Sequence, residues 1–193
     1  MKRRSILSVS ATIALGLALF GITAGSTARA AEIKLLCAVA LQPAMVALIP
    51  DFEKSSGHKV TIAFGTAGAV AGRVQKGEAA DIVINAGPLI DQLQAQDKVV
   101  ADSRVTLAKV GVGVFVRKGA AKPDISSADA FKRSMLAARS VELAGPLPSA
   151  IQNYTQFAPG IVTGSSQSDA ARALVTFLSS PAAQTVLKAK GFE

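Results

Sequence analysis

Val60 to Asn85, VTIAFGTAGAVAGRVQKGEAADIVIN, reads as strand, small-residue loop, helix and strand. The first strand is Val60 to Phe64, the loop Gly65-Thr66-Ala67-Gly68, the helix Ala69 to Gly77 and the second strand Ile82 to Ile84. A helix that starts straight after a strand, on glycines and a hydroxyl, leaves backbone N–H groups without intrahelical partners. Together with the positive end of the helix dipole they form a site for an anion. Such a site becomes a pocket only if the chain supplies a second one facing it.

The segment just upstream repeats the plan. Glu32 to Val39 (EIKLLCAV) is almost continuously apolar, as a parallel strand covered on both faces would be. Ala40-Leu41-Gln42-Pro43 follows, with Pro43 suited to a first helical turn, where its missing N–H costs nothing. The helix runs on through Ala44, Met45, Leu48 and Ile49, with a kink or break expected at Pro50 before it reaches Lys54. Gly57 suits a left-handed helix end. Strands alternating with helices in this way predict an α/β fold with a mainly parallel sheet. The candidate ligand-binding residues are Ala38, Val39 and Ala40 in one loop and Gly65, Thr66 and Ala67 in the other.

Downstream, Pro88 to Ala95 reads as a helix and Val99-Val100 as a short extended piece. Arg104 to Arg117 is a long β-rich run, able to pass from one lobe to another. Ser126 and Ser127 with Asp129 mark the start of a helix over Phe131 to Ala138, and Val141 to Pro148 is too rich in breakers for a long element. Ile151 to Ala158 is extended, and Ile161-Val162-Thr163 reads as a separate strand. Two helices close the sequence, Ala170 to Leu178 and Pro181 to Lys190, the second stopping at Gly191.

Composition limits the classes of function. The 193 residues hold 21 Lys and Arg against 13 Asp and Glu. Four of those cations (Lys2, Arg3, Arg4 and Arg29) precede residue 31 without any acid, so the rest carries +4. This mild excess can attract an anion, but no basic cluster is dense enough for nucleic acid. Mean hydropathy is +0.38, raised by the apolar run Ile6 to Gly25. That run lies between Met1-Lys2-Arg3-Arg4 and Ala28-Arg29-Ala30, the pattern of a cleavable secretory signal over residues 1–30, and predicts a periplasmic protein. Cys37 lies in an apolar strand and reads as a buried, inert thiol. One Cys and one His, His58, cannot complete a usual metal set, and neither metal nor cofactor is expected.

Four pieces in order carry a family likeness: Ala40 to Met45 behind the opening strand, Phe64 to Arg73, Gly77 to Ala86, and a block from Asn153-Tyr154 through Phe177 to Gln184 and on to Gly191-Phe192. The chain resembles the molybdate-binding family of periplasmic substrate-binding proteins of ABC transporters. The resemblance implies a type II periplasmic-binding-protein fold, two α/β lobes on a hinge with an oxyanion in the cleft. It also implies delivery of the solute to an ABC permease in the inner membrane. The oxyanion would be held by helix-start N–H groups and hydroxyls, without a metal. Two departures stand out. The serines that the family offers from the two loops fall here on Ala40 and Ala67, leaving Thr66 as the loop's hydroxyl. A large block of the second lobe, with its ligand contacts, has no counterpart where Arg139 to Leu143 joins the two sides.

The expected architecture is therefore one near-complete lobe, residues 31–107 and 165–193, plus a truncated second lobe. Residues 108–164 form the remnant of that lobe and the hinge. The function expected is binding of a molybdate-like anion or another small solute, without enzymatic activity. A non-binding remnant or interaction module, and an enzyme on the same fold, are the competing classes.

Overall fold

A computed structural model describes residues 30–114, 116, 119, 121–137 and 145–193. The secretory signal over residues 1–30 therefore falls, but for Ala30, outside the described residues, as does the Ser140–Val141 junction.

The chain is α/β. Strand β1 (Glu32–Ala38) leads through a 3-10 turn (Val39–Leu41) into helix α1 (Gln42–Ser56). Strand β2 (Lys59–Gly65) leads into α2 (Ala67–Gln75), and β3 (Ile82–Ala86) into α3 (Gly87–Ala95). Then come β4 (Ala108–Gly111), β5 (Gly113–Val114), α4 (Ala128–Ala137) and β6 (Gly145–Pro146). Strand β7 (Tyr154–Ile161), α5 (Ser168–Leu178) and α6 (Pro181–Ala189) complete the order.

Five strands form one sheet in the order β2-β1-β3-β7-β4. Strands β1, β2 and β3 are parallel, and β7 is antiparallel to both β3 and β4. Successive side chains of a strand alternate between faces, and the core divides accordingly. Ile33, Leu35, Cys37, Ile82 and Ile84 pack with α1, α5 and α6, while Leu36 and Val83 pack with α2 and α3. Both faces are covered, which is why β1 is apolar from Leu35 to Ala38 and β3 from Ile82 to Ile84.

Several boundaries differ from the sequence reading for identifiable reasons. Helix α1 passes through Pro50 without ending, because Pro50 and Val46, whose carbonyl loses its partner there, lie on the exposed face. Gly57 closes the helix at φ 73°. The run from Arg104 divides into β4 and β5 on either side of Val112. Ile161 belongs to β7, and Val162 makes only an isolated bridge to Val99. At Gly160 a Cβ would come within 2.5 Å of Val99 Cγ1, so only glycine lets that segment lie over β7. Strands β4 and β7, expected within the hinge and second-lobe remnant, pair in the same sheet as β1 to β3.

Between those two strands lies a small second unit, β5 paired with β6 and helix α4. The Gln152 side chain joins it to the sheet. Its Oε1 accepts from Val112 N at 2.8 Å and its Nε2 donates to Val112 O at 3.1 Å, so an amide side chain takes the place of a strand neighbour.

Candidate functional site

The two predicted loops meet at one edge of the sheet. Ala38 and Gly65, the last residues of β1 and β2, are register partners. Each strand turns directly into a helical start, so both sets of unpaired N–H groups arise from one row of the ladder. Neither the 3-10 turn after Ala38 nor α1 has a side-chain cap. Val39 is 46% exposed and Ala40 is exposed, which leaves this corner open to solute.

On the second loop, Thr66 is the N-cap of α2, its Oγ1 accepting from Ala69 N at 3.3 Å. The helix begins at Ala67, two residues earlier than the sequence suggests, so Ala67 and Gly68 are first-turn residues rather than loop. Their N–H groups are the ones helix geometry leaves without partners. The Thr66 hydroxyl keeps its own proton to donate.

Asn85, fully buried at the end of β3, was not among the candidates. Its Nδ2 donates to Ala67 O at 2.8 Å and its Oδ1 accepts from Ala86 N at 2.9 Å. One side chain thus ties the first turn of α2 to the start of α3 and holds the Thr66 corner in place. The sequence signal was available: a single polar residue ending the apolar run Ile82-Val83-Ile84 must find partners when buried.

The six candidates carry no titratable side chain, so the corner offers neutral donors only. Cys37 lies one residue before it but is buried in the core, and burial pushes its thiol up to about 12. His58 is remote from it. Cys37 pairs with Phe64 near the end of β2, whereas His58 precedes β2 and its Nδ1 accepts from Ala31 N at 3.1 Å. Among the described residues no group of three or more His, Cys, Asp or Glu gathers to hold a metal.

A groove of about 650 Å³ lies at the opposite edge of the sheet, lined by Lys34, Asp81, Lys98 and Ser165 among others. Asp81 is committed there to structure. Its Oδ2 accepts from Lys34 N at 2.8 Å and its Oδ1 from the Ser165 hydroxyl at 2.7 Å, joining β1, β3 and the turn before α5.

Comparison with known proteins agrees with this architecture. A curated relative, an aconitate isomerase from Pseudomonas sp, is 41% identical over 97 residues, which is 48% of this chain and 37% of that protein. The chain thus spans little more than a third of that relative's length. A substrate-binding domain assigned to a molybdenum ABC transporter of Clostridium difficile superposes with a TM-score of 0.70 at 15% identity, covering 85% of this chain and 99% of that one. The periplasmic molybdate-binding protein of Azotobacter vinelandii gives 0.65 at 17% identity, covering 84% and 99%. At these identities the solved structures establish the fold. The model of one family, bacterial extracellular solute-binding protein, matches residues 33–143 and 133–193, and the chain belongs to that family.

Proposed function

We propose that this chain binds a small anionic solute across Ala38–Ala40 and Gly65–Ala67 and acts outside the inner membrane as the solute-binding component of an ABC transporter. The observation that carries this is the register pairing of Ala38 with Gly65, which sets two helix starts side by side at one open edge. Backbone donors fixed in advance can strip water from an anion without the full countercharge that would hinder its release.

The loops themselves favour an organic carboxylate over molybdate. Ala40 and Ala67 stand where the resembled family offers serine hydroxyls, and each hydroxyl hydrogen bond to an anion is worth about 1.5–3 kcal/mol. Two such losses amount to roughly two to four decades of affinity for a tetrahedral oxyanion. The methyl groups of Ala38, Val39, Ala40 and Ala67 suit a carbon skeleton instead. The aconitate isomerase relative supports the same solute class.

Thermal-shift titration of the chain with molybdate, sulfate, cis-aconitate and trans-aconitate tests the reading. A carboxylate is expected to stabilise the chain more than molybdate does, and T66A to weaken that response by about 10-fold or more. No response to any anion in a folded sample would sink it.

The isomerase relative also motivates an enzymatic reading. Moving a double-bond geometry or a proton needs an acid or base at the reacting carbon, and none of the six candidate side chains can serve. No turnover is therefore expected. Proton NMR of trans-aconitate incubated with the chain checks this: appearance of the cis isomer would establish the enzyme instead.

A further inference from the structure

Helix α3 starts at the same sheet edge as the other two, because β3 runs parallel to β1 and its last residue, Ala86, passes straight into Gly87. The Arg104 side chain reaches this start from the segment before β4. A Cβ on Gly87 would lie 3.0 Å from Arg104 Nη2 and 3.7 Å from Gln156 O, so glycine makes room for the guanidinium there. Its partner is Asp91, one turn further along α3, with Oδ1 2.6 Å from Arg104 Nε.

That ion pair leaves the guanidinium underused. Arg104 Nε is buried and makes no hydrogen bond of good geometry among the described residues, because Asp91 lies off the N–H direction. The pair is also partly open, with side-chain exposures of 30% for Arg104 and 57% for Asp91, so water screens it. The placement opposes the helix dipole as well: a cation at a helix N-terminus is unfavourable unless an anion joins it. A planar fork with five donors suits a carboxylate.

We propose that Arg104 is a specificity-determining residue that receives a second anionic group of the solute, which makes the solute an extended di- or tricarboxylate. This rests on the reading of the Ala38 and Thr66 corner as an anion site. Strand β3 neighbours β1, so the start of α3 lies one strand spacing, about 5 Å, from the Ala38 loop and two, about 10 Å, from Thr66, a reach that suits a molecule with separated carboxylates better than a compact oxyanion held at Thr66.

Calorimetric titration of the whole chain with tricarballylate, acetate and molybdate tests the assignment in wild type, R104Q, R104K and D91N. R104Q is expected to weaken tricarballylate binding by about 10- to 100-fold while acetate and molybdate change by less than about 2-fold. D91N breaks the ion pair but keeps the cation, so its tricarballylate affinity is expected to match or exceed wild type. Where R104Q does not fold, R104K decides: it keeps the charge without the fork, and a loss of about 3- to 10-fold confined to tricarballylate is expected. Equal losses for all three probes, no loss in either Arg104 variant, or a D91N loss as large as that of R104Q each overturn the assignment and leave the anion site standing. A wild-type chain that binds none of the probes overturns the anion site itself, and Arg104's role with it.

Discussion

Residues 32–111 and 154–193 hold five paired strands with helices on both faces, whereas the described residues of 112–151 hold two strands of two residues each, one α-helix and a 3-10 turn. Every residue of the two hydrophobic clusters comes from the first group. Helix α4 buries only Ala130, while Met135 and Leu136 are 48% and 81% exposed. Its sequence is as amphipathic as that of the buried helices. The difference is that α1, α5 and α6 have a sheet face to lie on, whereas among the described residues α4 contributes nothing to either hydrophobic cluster. An apolar stripe stabilises a helix only by leaving water, and here the surface it would leave water for is small.

The sharpest way to break this contrast is a matched pair of truncations. Leu174→Ala, in the fully buried face of α5, is expected to cost about 2–5 kcal/mol. Leu136→Ala, on the exposed face of α4, should change stability by about 0.5 kcal/mol or less. Urea unfolding of both variants decides it, and a comparable loss at Leu136 would mean that α4 shares the cooperative core.

Asn85→Ala comes next, at about 1–3 kcal/mol, since it strands the Ala67 carbonyl and the Ala86 amide next to the core. It should also weaken anion binding by loosening the first turn of α2, and a stability loss with unchanged affinity would separate the scaffold from the site. Gln152→Ala removes the double hydrogen bond to Val112 where the two regions join. About 1 kcal/mol or less is expected, read as faster hydrogen exchange at the Val112 amide with little change at Leu35 or Ile84.

The smallest effect is a pH dependence within the larger region. Glu53 accepts a hydrogen bond from Val60 N at 2.8 Å, and this bond, followed by Lys59 nearby, holds its carboxyl below the ordinary 4.5. A depressed carboxylate contributes stability that is fully present above its unfolded value and is lost as pH falls through the folded one. The chain should therefore lose stability below about pH 4.5, and E53Q should flatten that part of the melting-temperature profile. An identical acid limb in E53Q would place the acid sensitivity elsewhere.

Much of the larger region was legible residue by residue. Alternating strand and helix signals placed β1, α2 and α6 within two residues of their true ends, because the helix boundaries are marked locally: Thr66 as the cap of α2, Pro181 at the first turn of α6 and Gly191 at positive φ just past its end. Where a boundary depended on what lay alongside, the pattern misled. Pro50 was tolerated because it faces solvent, and Ile161 stayed in β7 because β3 pairs with it over Ile82. The candidate site was legible as two loops and one hydroxyl. Asn85 was legible only as a polar residue in need of partners; its partner at Ala67, like that of Arg104 at Asp91, comes from another element.

The residue pattern alone settles the unit of construction, strand into helix start, and the absence of charge in both loops, since each follows from side-chain types and local backbone geometry. Whether those units form a site depends on register. Ala38 opposite Gly65, Asn85 against the first turn of α2, and Arg104 beside Gly87 are relations between segments distant in sequence. Packing on both sheet faces brings them to one edge, because a slip of one residue would swap every side chain to the other face and out of the cluster it fits.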